Sequence, residues 1–586
     1  MIRSVTMARA VAAALLLLAG AVRADAGATF RAQFGDAFLD RYWALQPDAA
    51  ITVGYYRYAA RIAVPDAAYR ARRLAFLDRS IAALRRLPEA GMDAATRTDR
   101  AVLLSQLEQE RWSLAEFREW QWNPSLYNVA DAFALLLNTP YAPEAERLRT
   151  VSQRLTQVPA YYAAARAAIE RPVREQVQLA MQQSQGTLDV FGEALERQLA
   201  GSALRADERA RFLQRLRAAR AAVEGYIAFL EALDQRLARD GGGRDFRIGA
   251  AAYERLFGYA IQTGVTPDAL HARALQEKER LHERMAELAD HLWPKYFLDQ
   301  APPPERVARI GQLIARLSDN HATPAGFYGE VQALIPRLED WVRTHGLVDL
   351  DPSRPLAVRV TPPYQRGVAM ASVNAPGPYD ATARTYFNVT PLDDYTPAQA
   401  DSFLREYNRW LLQILVIHEA VPGHYVQLVY ANKAPSRIKS VFGNGPMIEG
   451  WAVYSERMML ESGWDPSPEM ELMYSKWLLR VVCNTLLDYG VHVRGMSEDE
   501  ALHLLRDEAF QSETEAHGKW RRAQLSYVQL ASYFAGYSAI YDFRESLKQQ
   551  LGERFDLKKF NDRFLSYGSA PVAVITPLIG AEDVAR

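Results

Sequence analysis

With 586 residues, the chain is long enough to bury a large core and to form two to four domains. Its 69 basic residues nearly cancel its 70 acidic ones, and a net charge of -1 gives no electrostatic reason to expect nucleic acid or an anionic membrane as a partner. Charged residues at 24% and hydrophobic ones at 49% fit an ordinary globular protein, and the single cysteine, Cys483, excludes an internal disulfide framework.

The chain opens with Arg3 and Arg9, the apolar stretch Ala10 to Leu18, and small residues around Ala24 and Ala26. This pattern reads as a signal peptide over residues 1–26, cleaved near 24–26, because the apolar run falls short of the roughly 20 residues that a spanning helix needs. The mature protein is therefore expected in the periplasm or secreted, with no membrane partner after cleavage. No lipoprotein-type cysteine follows the signal. Cys483 lies in an apolar stretch and reads as a small buried hydrophobe rather than a nucleophile.

Residues 27–240 form an N-terminal region rich in helix formers, where alanine- and arginine-bearing faces read as solvated helix surface. Asp240-Gly241-Gly242-Gly243 breaks it, as either a surface loop or a domain boundary. The catalytic region is then expected over residues 241–586. It begins with a helix capped by Thr266-Pro267-Asp268 that holds His271, His282 and His291, read as surface histidines. Between residues 356 and 389 the β-branched and aromatic runs Leu356-Ala357-Val358-Arg359-Val360-Thr361 and Arg384-Thr385-Tyr386-Phe387-Asn388-Val389 predict a small sheet. It is read either as a hairpin packing on helices or as an edge that aligns an extended peptide.

Helices return after Thr396, and the zinc-site helices are expected within residues 402–460. The apolar run Trp410 to Ile417 leads into His418-Glu419-Ala420-Val421-Pro422-Gly423-His424. In an HExxH helix the two histidines lie roughly 40° apart around the axis, whereas the six-residue spacing here gives roughly 120° on a regular helix. One metal can meet both only if the helix is interrupted, and Pro422-Gly423 is where a bulge returning His424 is expected. Glu449, near the first turn of a helix opened by Gly443-Asn444-Gly445-Pro446, is the candidate third ligand. Glu419 is the candidate base for a zinc-bound water. Glu456, seven residues after Glu449, reads either as a group orienting a ligand from behind or as surface charge.

His418-Glu419-Ala420-Val421-Pro422-Gly423-His424-Tyr425-Val426-Gln427 and Glu449-Gly450-Trp451-Ala452-Val453-Tyr454-Ser455-Glu456 resemble the signatures of the bacterial domain-of-unknown-function family numbered 885, regarded as zincin-like metallopeptidases. The resemblance extends to Phe246-Arg247-Ile248-Gly249, the Thr266 helix, Pro362-Pro363-Tyr364, Gly490-Val491-His492, Gln529-Leu530-Ala531-Ser532-Tyr533 and Gly568-Ser569-Ala570-Pro571. It implies His418, His424 and Glu449 as ligands of one zinc per chain and Glu419 as the base. It also implies Tyr533, with Arg522 or His492 as alternatives, as the donor to the developing oxyanion. Tyr425 stands where the family often has a further histidine, and Ala523 to Val528 lack a usual Pro-Gly. These departures leave the ligands intact and bear on the substrate pocket.

The expectation is a mainly α, large helical zincin-like (gluzincin-type) fold with a small sheet beside the active-site helix. The expected activity is zinc-dependent hydrolysis of peptide bonds in short peptides, the preference for short chains resting on fold-level analogy. The alternatives are a zinc-dependent amidase or esterase acting on a non-peptide substrate and a non-catalytic peptide-binding protein on a peptidase-like frame.

Overall fold

In the computed structural model, residues 26–361, 371–380, 384–393, 395–434 and 436–586 are described. The signal peptide expected over residues 1–26 therefore lies, apart from Ala26, outside the described residues, as does Pro362-Pro363-Tyr364. The chain divides into two compact units. One runs to Arg244 and adds Gly377–Asp380 and Pro435–Phe442. The other comprises Asp245–Pro376, Ala381–Ala434 and Gly443–Arg586.

The first unit is built along the long helix α1 (Ala206–Asp240). Its buried residues Phe212, Leu216, Ala219, Val223, Tyr226, Leu230, Leu233 and Leu237 alternate spacings of four and three, which keeps one stripe turned to the core. Phe133, Tyr162 and Phe191 join that core. The helix stops at Gly241, whose φ of 68° suits glycine. Two arginines depart from the solvated-surface reading: Arg154 is fully buried, paired with Asp48 and bonded to the Ala59 carbonyl at 3.2 Å, and the buried Arg100 donates to the Leu84 carbonyl at 3.2 Å.

In the second unit α2 (Pro267–Phe297) starts as expected, with the Thr266 hydroxyl accepting from the Ala269 N–H at 3.3 Å. His282 is not a surface residue. It is 3% exposed, and its Nε2 is bonded to the Glu508 carbonyl at 2.7 Å, while His291 is exposed. The sheet has three strands, β1 (Leu356–Val360), β2 (Ala371–Asn374) and β3 (Thr385–Val389), in the order β1-β3-β2. β1 and β3 pair in parallel and β2 pairs antiparallel with β3, so the two strands visible in the sequence are not a hairpin. β2 packs against the histidine helix α3 (Arg409–Glu419).

Asn408 caps α3 by accepting from the Trp410 and Leu411 N–H groups at 3.2 and 3.3 Å. Trp410 to Ile417 are all buried, so α3 is an interior helix. After α4 (His424–Lys433) come α5 (Gly445–Glu461) and α6 (Pro468–Tyr489), the latter buried along nearly its whole length. Cys483 lies on α6 with 0% exposure, and burial pushes its thiol up to about 12, as expected of an inert core residue. Helices α7 (Glu513–Leu525) and α8 (Ser532–Leu551) pack against α6. Among the described residues no helix is long and apolar enough to cross a membrane.

Candidate metal centre

The helix does not bulge at Pro422-Gly423; it breaks. α3 ends at Glu419, Ala420 leaves helical geometry at φ -108° and ψ -91°, and α4 begins at His424. The Gly423 N–H donates to the Ile417 carbonyl at 3.0 Å. A Cβ on Gly423 would lie 1.9 Å from the His418 carbonyl oxygen and 2.4 Å from that of Ile417, so only glycine lets the chain fold back this closely. The Trp451 indole N–H donates to the Pro422 carbonyl at 2.9 Å, which ties the loop to α5. The break brings the rings of His418 and His424 to 4.7 Å between centres, inclined at 85°.

Helix α5 supplies two carboxylates. The Asn444 side chain caps it by accepting from the Met447 N–H at 3.0 Å, setting the register that places Glu449 and Glu456 two turns apart. Glu449 Oε2 lies 3.4 Å from His424 Nε2 and 3.8 Å from His418 Nε2. Glu456 is fully buried, so it is not surface charge. It is bonded to His418 Nδ1 at 2.6 Å and accepts from the Trp477 indole at 3.0 Å. With Nδ1 so engaged, His418 presents Nε2 toward Glu449. A Glu419 oxygen lies within 4.8 Å of nitrogens on both histidines.

Burial, reinforced by the charge of His424, pushes His418 down to about 4 and keeps it neutral. Burial also opposes charge on His424, but its bond to Glu449 and that carboxylate's charge outweigh burial and raise it. Glu449 mirrors this: burial raises it, and the bond and charge of His424 bring it below the ordinary range. Burial raises Glu419 and holds Glu456 well above a normal carboxyl.

These residues fit a divalent ion. Two ligands bound at ~2.1 Å with tetrahedral angles lie ~3.4 Å apart, the separation of His424 and Glu449. His424 Nδ1 is buried without a hydrogen-bond partner among the described residues, so Nε2, which faces Glu449, is the nitrogen turned to the centre. Two imidazoles and a carboxylate suit zinc, and the side-chain exposure of 21% at Glu449 leaves the centre open to solvent. Glu456→Ala, which removes the group that orients His418, is expected to weaken zinc affinity by about 10- to 100-fold with the fold retained. Competition with a fluorescent zinc chelator measures this, and unchanged affinity would deny Glu456 that role.

Tyr533, on α8, is half-buried and accepts from Arg522 Nη2 at 3.2 Å, and Arg522 also donates to Gln529 Oε1 at 2.6 Å. Burial, with the charge of Glu449 adding to it, raises the Tyr533 phenol. His492 is directed elsewhere. It is 2% exposed and its Nε2 is bonded to the Ala523 and Ser526 carbonyls at 2.8 and 3.0 Å. The supporting roles of Trp451 and Trp477 are not legible from the sequence. Trp451 gives a signal only by standing inside the Glu449 motif, and Trp477 gives none.

The model of a bacterial family of proteins of unknown function, DUF885, matches residues 47–579. A solved structure of a "putative lipoprotein of unknown function" from Shewanella oneidensis is 48% identical, with a TM-score of 0.85 over 93% of this chain and 99% of that one. A second, also described as a lipoprotein, from Colwellia psychrerythraea, is 17% identical with a TM-score of 0.73, covering 96% of this chain and 97% of that one, and shows likeness of fold alone. Among proteins with curated descriptions none matches.

Proposed function

The chain belongs to the DUF885 family of bacterial proteins, and we propose that it is an exported zinc metallopeptidase with a zincin-like, gluzincin-type fold that hydrolyses short peptides. The observation that carries this reading is the placement of Glu449 Oε2 beside the Nε2 atoms of both histidines, with Glu456 holding the far side of His418. The lipoprotein description of the Shewanella oneidensis structure supports an exported protein, periplasmic or secreted.

His418, His424 and Glu449 would hold the ion. Bound there, zinc supplies Lewis acidity and lowers the pKa of water at the site. Glu419 accepts the proton of the attacking water and returns it to the leaving amine. Burial, which raises its pKa, brings that carboxyl nearer to the operating pH of a general base. Tyr533, whose hydroxyl accepts from Arg522 and keeps its own proton to give, would donate to the carbonyl oxygen as charge develops there.

Elemental analysis of the purified mature protein tests the centre. About one zinc per chain is expected, lost in both His418→Ala and Glu449→Ala, since three protein ligands define such a site. A folded wild-type protein that carries no metal and takes up no added zinc overturns the reading.

A further inference from the structure

Helix α7 buries Ala516, Lys519, Trp520 and Ala523. Lys519 is the exceptional member: it is 6% exposed and makes neither hydrogen bond nor ion pair among the described residues. Its charged surroundings are Arg480, Arg522, Glu515 and Glu449. Glu515 is already engaged by Arg480 at 3.2 Å, and Glu449 is the carboxylate assigned above to the metal. One turn further along α7, the exposed Arg522 donates to the neutral oxygens of Gln529 and Tyr533 and to no carboxylate among the described residues. Two basic residues spaced i, i+3 on one helix thus make no ion pair with a carboxylate among the described residues.

A buried ammonium without a counter-charge is costly, and binding an anion relieves that cost. Burial, with Arg480 and Arg522 adding to it, pushes the Lys519 ammonium well below the ordinary lysine range. An incoming carboxylate favours the charged form. Once Glu449 is committed to an ion of charge +2, the excess of positive charge at this end of the site grows.

We propose that Lys519 and Arg522 form a subsite for the free C-terminal carboxylate of a peptide, so that the enzyme trims peptides from their C-terminal end rather than cutting within them. The inference rests on the metallopeptidase reading. In the reaction the scissile C–N bond breaks, water supplies the new C–O bond, and its proton passes through Glu419 to the amine of the departing C-terminal fragment, whose carboxylate Lys519 and Arg522 hold.

The test separates binding from turnover. Zinc-loaded Glu419→Gln protein is titrated calorimetrically with an N-acetyl tripeptide as the free acid, as its C-terminal amide, and as an amide carrying a glutamate side chain. The free acid is expected to bind about tenfold or more tightly than either amide, as loss of a charge-assisted contact implies. Adding Lys519→Gln, or Arg522→Gln should the lysine variant fail to fold, is expected to close most of that gap. Equal binding of acid and plain amide by the folded protein overturns the inference, and so does a side-chain acid that matches the terminal one. Wild-type protein that cleaves acid and amide at equal rates overturns it while sparing the peptidase reading. A carboxylate preference in binding without cleavage of any peptide supports the subsite and counts against the reading beneath it.

Discussion

Glu419→Gln is expected to bind zinc as the wild type does and to hydrolyse peptides about 10³-fold more slowly, within the 10²- to 10⁴-fold range of a lost general base. At about 1.4 kcal/mol per factor of ten this is about 4 kcal/mol of transition-state stabilisation, removed by a change that conserves side-chain shape. The experiment matters because two carboxylates approach the histidines. A Glu419 oxygen lies within 4.8 Å of nitrogens on both, while Glu449 Oε2 lies at 3.4 and 3.8 Å from their Nε2 atoms. Against burial, the bond and charge of His424 bring Glu449 below the ordinary carboxylate range, whereas burial raises Glu419, so the two carboxylates differ in environment. Metal analysis and turnover of the two Glu→Gln variants, measured side by side, check the assignment. If Glu419→Gln loses the ion and Glu449→Gln keeps it, the roles are exchanged. If the metal-loaded Glu419→Gln protein keeps full activity, Glu419 is not the base.

The parts of this centre legible in the sequence are those fixed by local spacing. His418, His424 and Glu449 stand out because a Pro-Gly between two histidines has a mechanical reading, and the structure brings all three together around the break at Ala420. The form of the interruption was less legible: the expected bulge is a full break, because the Gly423 N–H turns back to the Ile417 carbonyl. Helical spacing placed Glu456 on the face of Glu449 but could not say what covers that face. The answer, Trp477 on α6, comes from a different element. Lys519 was invisible for the same reason, since its neighbours Arg480 and Glu449 lie far away along the chain. In the sheet, Ala371–Asn374 offers one β-branched residue in four, too weak a pattern to announce a strand. The parallel pairing of β1 with β3 depends on where β2 inserts. His282 looked exposed because its partner is the Glu508 backbone, which no side-chain pattern records.

The other large effect is expected from a residue with no chemistry. Gly536→Ala should prevent folding of the second unit or destabilise it by about 3 kcal/mol or more, at or beyond the usual range for overpacking. α5 and α8 cross with their backbones in contact. A Cβ on Gly536 would lie 1.8 Å from the Pro446 carbonyl oxygen, and one on Gly450 would lie 2.4 Å from the Gly536 carbonyl carbon. Both obstacles are backbone, so no rotamer change relieves them, and the helices must separate. Gly450 adjoins Glu449, and the same helix carries Glu456, so separation would draw both carboxylates away from the histidines. Loss of stability and loss of zinc affinity should therefore arise together. Gly225→Ala is the control: Gly225 lies inside α1 with nothing within 4 Å of an added Cβ, and there alanine should stabilise by about 0.4–1 kcal/mol. Denaturant unfolding followed by fluorescence, with zinc content measured on the same samples, reads both effects. A Gly536→Ala protein that unfolds at the wild-type midpoint with its zinc in place would show that the crossing tolerates a methyl group and does not set the position of Glu449.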